Sequence, residues 1–300
     1  MLQRLFVSIF LFFFVGQLQA QELLSNFYFY QVQKGEVTSY ILGNFQYPVV
    51  AGQLPAQFDQ SLKSTKSLLV DFVHTQDTEQ LNQLLLKYIH QPEGQVLSDQ
   101  LSSDVLDGLK AWGGEEFYSA LMAYTPFGIN EMIKNRSEDV VLAWFQQVYP
   151  TAVGSVGLHL WAQAEALGLP INGVYESSEQ VFIDYSAVAG PALELLFSLS
   201  TDPYQVSLQM CLPLSVSVYT SPNPELDLPT YSKYCESDAD RSLRSSWVAR
   251  FSDKIAGHLS SEATFAVLPY DRLIGPEGLL ERLKRAGFQV QSISLAGGAE

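Results

Sequence analysis

Residues Ser67 to Val73 read Ser-Leu-Leu-Val-Asp-Phe-Val, an almost continuous apolar run of strand length. A strand of that pattern is covered on both faces, as in a parallel sheet between helical layers. It needs strand partners, and the chain supplies them at its two ends. Phe27 to Val32 and Val37 to Leu42 flank a Lys34-Gly35 turn, the pattern of a β-hairpin leading into a central strand. Ala263 to Leu268 and Phe288 to Leu295 are extended in the C-terminal part, and Pro170 to Tyr175 is a short strand between. The order predicts an α/β fold. Its central mixed, largely parallel sheet is built from the N- and C-terminal halves, with a helical layer or cap inserted in the middle.

The insertion spans about 77–168. Leu81, Leu84, Leu85, Tyr88 and Ile89 follow i, i+3, i+4 spacing, with Asp77 as N-cap and Gln80 in the capping-box place. Helices are also predicted for Ser98 to Trp112, Glu115 to Tyr124, Ser137 to Val148 and Ser155 to Leu167, the last stopped by Gly168. Outside this block, Ala56 to Ser64 is a short helix. Glu176 opens another, and Pro191 to Leu199 is read as a separate one. Asp238 to His258 is a long amphipathic helix with Leu243, Trp247, Phe251 and Ile255 on one face. Pro276 to Ala286 is a helix with proline in its first turn.

The first twenty residues are expected to be a signal peptide. Arg4 forms a short basic region, and Leu5 to Gly16 is an apolar run well short of the ~20 residues that span a bilayer. Leu18-Gln19-Ala20 offers a cleavage site; an uncleaved anchor is the alternative. Residues 21–300 then form a single domain, exported to the periplasm or secreted. No later stretch is read as long and apolar enough to span a bilayer, and no integral membrane insertion is expected after signal cleavage. Losing Arg4 from the 17 Lys+Arg leaves 16 against 32 Asp+Glu, a net charge near −16. So acidic a surface argues against nucleic acid and anionic lipid as partners. Two cysteines occur, Cys211 and Cys235. In an oxidising compartment a bridge between them is expected; two independent thiols are the alternative.

Two stretches carry a resemblance. Phe29-Tyr30-Gln31-Val32-Gln33-Lys34-Gly35, followed by Ser39-Tyr40-Ile41-Leu42-Gly43, is similar to the opening phrase of the TraB/GumN family. Gly275 to Ile293 is similar to that family's closing Gly-Pro-Asp-Gly-Leu-Leu segment. Leu68 to Val73 and Gly157 to Glu176 resemble intervening family segments in the same order, so the likeness runs over nearly the whole chain after residue 27. The family includes the Tiki metal-dependent proteases. The resemblance implies an α/β domain with a metal site built on two Gly-x-x-His motifs.

This chain departs from the family at those motifs. The first histidine position is Gln46, in Gly43-Asn44-Phe45-Gln46. The family's strand glutamate is Asp71. The second motif is Pro269-Tyr270-Asp271-Arg272, which places Arg272 at the histidine position. A hydrolytic metal site needs about three imidazole or carboxylate donors and an open position for water. Gln46 offers one weak carbonyl oxygen, and a guanidinium cannot be a ligand. The expectation is a salt bridge between Arg272 and Asp71 in place of a metal.

Three functional readings follow. The favoured one is a non-catalytic binding or regulatory protein with a degenerate metal site, no cofactor and an unknown protein or peptide partner. The second is a metal-dependent hydrolase with altered ligands, for which Asp71, His74 and Asp271 around a hard divalent ion are the weak candidates. The third is a structural envelope protein. Glu176 occupies a family carboxylate position, with helix-dipole pairing as its ordinary role. His90 and His258 are placed at helix ends. His159 is read as a hydrogen-bonded core or cleft residue.

Overall fold

The computed structural model describes residues 28–44, 54–73, 78–135, 155–211, 214, 218 and 224–293. The signal segment, Gln46, His74, Asp77 and the helix expected over Ser137 to Val148 lie outside the described residues.

The expected α/β class is present as a six-stranded mixed sheet. Its strands are β1 (Phe29–Lys34), β2 (Val37–Asn44), β3 (Ser67–Val70), β4 (Ile171–Gly173), β5 (Thr264–Pro269) and β6 (Gln289–Ser292). Their spatial order is β4-β3-β5-β2-β1-β6. The first four in that order are mutually parallel; β1 runs against β2, and β6 against β1. The C-terminal β5 therefore sits between two N-terminal strands, β2 and β3, which is how the two halves of the chain make one sheet.

The sequence alternation sorts side chains to two faces. Phe29, Leu42, Leu68, Val70, Phe265 and Val267 pack against α1 (Ala56–Lys63) and α4 (Val156–Ala166), with Phe58, Leu62 and Leu160 from those helices. Val32, Ile41, Leu69, Ala266 and Leu268 pack on the other face against α8 (Asp238–Ser261) and α10 (Leu279–Arg285), with Trp247, Ile255 and Leu283. Fully burying one such side chain contributes about 1.5–3 kcal/mol, so this three-layer core dominates the stability.

The middle of the chain forms its own apolar cluster. It is built from α3 (Ser103–Leu121) and the helical residues 126–135 that follow it, with α2 (Thr78–Ile89) alongside. Leu97, Leu101, Val105, Leu109, Leu121, Ile129 and Ile133 pack together with Leu193 of α5 (Ser178–Leu199). The expected break near Trp112 is a kink at Gly114, whose φ of 79° is a conformation that glycine adopts readily.

Several expectations are corrected. Pro191 does not start a helix; it lies inside α5, where burial of Val188, Ala189 and Leu193 offsets one missing amide hydrogen bond. Pro276 likewise precedes α10, which is capped by Gly278 after a Gly278 N–H to Gly275 carbonyl turn. Helix α5 is also long and apolar enough to cross a membrane by length and composition, with a mean hydropathy of 1.3, contrary to the expectation for the later chain. It nevertheless carries the buried Asp184 and packs against α2, α3 and α8.

After α6 (Pro203–Val206) and a π-turn at Ser207–Cys211, the Cys211–Cys235 disulfide joins the end of that turn to the end of α7 (Pro224–Cys235). Helix α8 then starts with a reciprocal capping box between Ser237 and Asp240. With the cysteines 24 positions apart, their replacement by Ser should lower unfolding free energy by about 3 kcal/mol in a urea titration.

Gly43 illustrates how tightly the ends of β2 and β5 pack. A Cβ there would lie 2.9 Å from Tyr28 Cβ and 3.0 Å from Tyr270 Cβ. Gly43→Ala should destabilise by about 1–3 kcal/mol. Gly257→Ala, which meets nothing within 4 Å inside α8, should stabilise by up to about 1 kcal/mol in the same denaturant assay.

Candidate functional site

The carboxyl ends of parallel strands in an open α/β sheet are where such folds place ligands. Here the register brings four chain segments to one edge. Val70 pairs with Val267 and with Gly173, while Gly43 pairs with Leu268 and Asn44 with Pro269. The β3–β4 ladder continues one step, with the Tyr175 amide donating to the Asp71 carbonyl at 2.9 Å. Asp71 therefore leaves β3 beside Tyr175. The short helix α9 (Tyr270–Leu273) leaves β5 carrying Asp271 and Arg272. Asp71, Asp271 and Arg272 thus share one sheet edge, as their sequence positions imply.

Their pairing differs from the expectation. Arg272 forms its ion pair with Asp271, Nη1 to Oδ2 at 3.4 Å, rather than with Asp71. Asp71 instead accepts a hydrogen bond from the indole N–H of Trp247 at 3.1 Å. Helix α8 crosses the sheet so that Trp247 points at the end of β3, which takes up the carboxylate that Arg272 was expected to bind. Trp247 is 1% exposed. Read from sequence it was a core aromatic, and its buried N–H, which needs an acceptor, was the available signal of a second role.

The electrostatics follow from enclosure. Burial pushes the Asp71 carboxyl up to about 7, against the lowering influence of Arg272 and of the Trp247 bond. Burial by itself would lower the Arg272 guanidinium, but Asp271, Tyr185, Asp71 and Tyr175 around it outweigh that and raise it. Arg272 is thus a permanent cation, 9% exposed, and its Nε has no hydrogen-bond partner. Tyr185 from α5 faces the same group. The residue is 38% exposed along its flank, yet enclosure pushes its hydroxyl up to about 12, with Asp71 adding to the shift and Arg272 opposing it.

A second layer supports this edge. Asp184 on α5 accepts from the Tyr175 hydroxyl at 2.8 Å, from Gln180 Nε2 at 3.1 Å and from Arg250 on α8. Burial would raise the Asp184 carboxyl, but the bonds from Arg250, Tyr175 and Gln180 hold it below the usual range. The Tyr175 hydroxyl is raised by its burial and by that bond to Asp184. Arg250 also lies over the rings of Tyr175 and Phe251, at 5.4 and 4.3 Å from their centres. Neither Asp184 nor Arg250 was singled out from sequence, since an acidic residue on an apolar helix looks unremarkable until its partner is placed.

The other candidates lie elsewhere. Glu176 is exposed; Ser177, which accepts from the Gln180 amide, is the residue that caps α5. His159 sits 3.5 Å from Asp59 on the α1–α4 face. His90, directly after α2, bridges Tyr124, and His258 lies in the last turn of α8, so both stand at helix ends as expected. Among the described residues no group of three or more His, Cys, Asp and Glu side chains is arranged to hold a metal ion. Comparisons with protein-family models, with curated proteins and with solved structures found no match.

The raised Asp71 carboxyl has a signed consequence. Between about pH 4 and pH 7 the folded state holds a proton that the unfolded chain has released, so this group's contribution to stability falls as pH rises through that window and is level above it. Asp71→Asn keeps an acceptor for Trp247. The variant should gain up to about 4 kcal/mol over the parent at pH 8, with the difference vanishing towards pH 4 in paired denaturation curves.

Proposed function

We propose that this chain is an exported TraB/GumN-like protein whose metal-site edge has been converted to a fixed internal charge network, and that it acts as a non-catalytic binding or regulatory protein. The observation that carries the reading is Arg272. It is a buried guanidinium, paired with Asp271, at the position where the family resemblance implies a metal-ligating histidine. A guanidinium donates five N–H groups and accepts nothing, so it repels a divalent ion instead of holding one.

The neighbouring donors do not fit a hydrolytic metal site either. Asp71 is committed to Trp247, and its carboxyl is half-protonated near neutral pH. Metal binding would require that proton to leave and Arg272 to move away from the same edge. What the network does provide is rigidity: it ties the ends of β3 and β4 to α5 and α8 through Asp71–Trp247, Tyr175–Asp184 and Asp184–Arg250. The expected oxidising location is supported by the disulfide, which persists in such compartments.

Elemental analysis of the purified mature protein after dialysis against Mn²⁺, Co²⁺ and Zn²⁺ tests this. The expected result is no stoichiometric metal and no chelator-sensitive peptide hydrolysis. One bound metal per chain together with chelator-sensitive hydrolysis would overturn the proposal.

A further inference from the structure

The two outer strands of the sheet end it differently. On one side β4 is only three residues long, and Lys254 Nζ donates to the carbonyl of Val174 just after it, at 2.8 Å. On the other side stands β6, with no strand beyond it among the described residues. An edge strand of a natural sheet commonly carries a lysine, a proline or a bulge that blocks further pairing. β6 reads Gln-Val-Gln-Ser and runs in unbroken register along β1, from Gln289 opposite Gln33 to Ser292 opposite Tyr30. It has none of those guards, and Gln289, Gln291 and Ser292 are exposed.

The alternation of an antiparallel ladder identifies the backbone groups that remain. Residues on such a strand bond to one neighbour or to the other, in turn. The Gly43 amide donates to the Tyr28 carbonyl at 2.8 Å, so Tyr30, Val32 and Lys34 are the β1 residues that bond to β2. The Ile293 amide donates to the Phe29 carbonyl at 2.8 Å, so Phe29, Gln31 and Gln33 bond to Ile293, Gln291 and Gln289. Val290 and Ser292 therefore turn their N–H and C=O groups away from the sheet.

A strand that adds here meets an uncharged edge in a chain of net charge −15. The charges on α10, which packs beside β6, are largely matched at home: Lys284 with Glu281 at 2.5 Å and Arg282 with Glu277 at 3.9 Å. A strongly acidic or basic peptide finds no complementary charge on such an edge. A second copy of β6 brings the same neutral sequence and the same outward groups. With a two-fold axis at Gln291, Val290 of each copy stands opposite Ser292 of the other. The residues that bond outward then coincide in both copies.

We propose that β6 pairs antiparallel with β6 of a second copy, giving a two-fold dimer with one continuous sheet. A contact made by one short strand and its flanks is small, so the dimer is weak and concentration-dependent. β6 lies at the opposite end of the strand order from β3 and β4, so the dimer does not rest on the function read from the Asp71 edge.

Sedimentation velocity of the full mature protein, in a concentration series reaching millimolar, tests this. A reversible monomer–dimer equilibrium is expected. Gln291→Lys and Gln291→Glu each set like charges opposite one another across the axis, and each should weaken self-association by up to about fivefold. An equimolar mixture of the two should recover it, because Lys then faces Glu. Ser292→Pro removes an outward N–H and leaves the β1–β6 bonds in place, so it should also weaken the dimer. Melting midpoints of the dilute variants equal to the parent's confirm folding. A parent that stays monomeric throughout, or a Lys–Glu mixture that associates no better than either variant alone, would overturn the proposal.

Discussion

The hydrogen bond from Trp247 to Asp71 is the contact on which the functional edge depends. It joins the end of a central strand to the middle of the longest helix, across 176 positions in sequence. Trp247 is also part of the core beneath α8, so the same side chain packs the sheet and fixes a carboxylate at its edge. Asp71 is partly buried there, and the desolvation that this crowding imposes raises its carboxyl. A neutral Asp71 in turn leaves Arg272 to Asp271. The charges at the edge are thus set by packing of the core more than by attraction between the two groups that sequence reasoning paired.

The network has a division of labour. Asp184, with Arg250, Tyr175 and Gln180, is fully bonded and keeps its charge, so it acts as an anchor between α5 and α8. Asp71 and Asp271 share a single nearby guanidinium whose Nε has no partner. Buried charges cost desolvation that pairing offsets only in good geometry. The Asp184 group meets that condition. The Arg272 group meets it less well, and a carboxyl that holds a proton near neutrality is the physical outcome.

Much of this was legible in the sequence. The apolar run at Ser67–Val70 and the alternation in β2 and β5 carry the fold, because side chains on a two-sided sheet must be apolar in both directions. The same alternation placed Asp71, Asp271 and Arg272 just past strand ends, and so at one edge. Which of them pair depends on the crossing of α8 over the sheet, and no local pattern records a helix crossing. Trp247 read as core, and it is core; its N–H found Asp71 only because the helix passes there. Pro191 misled in the opposite direction, since a local helix-breaking preference gave way to burial of its neighbours along α5.

The central claim is that Asp71 is an enclosed carboxyl held between Trp247 and the fixed charge of Arg272. Site-resolved ¹³C NMR titration of the Asp71 carboxyl, in the parent and in Arg272→Gln, measures that directly. The account predicts a midpoint near 7 in the parent, moved upward when the guanidinium is removed. A midpoint in the ordinary aspartate range near 4, or one unmoved by Arg272→Gln, would contradict it.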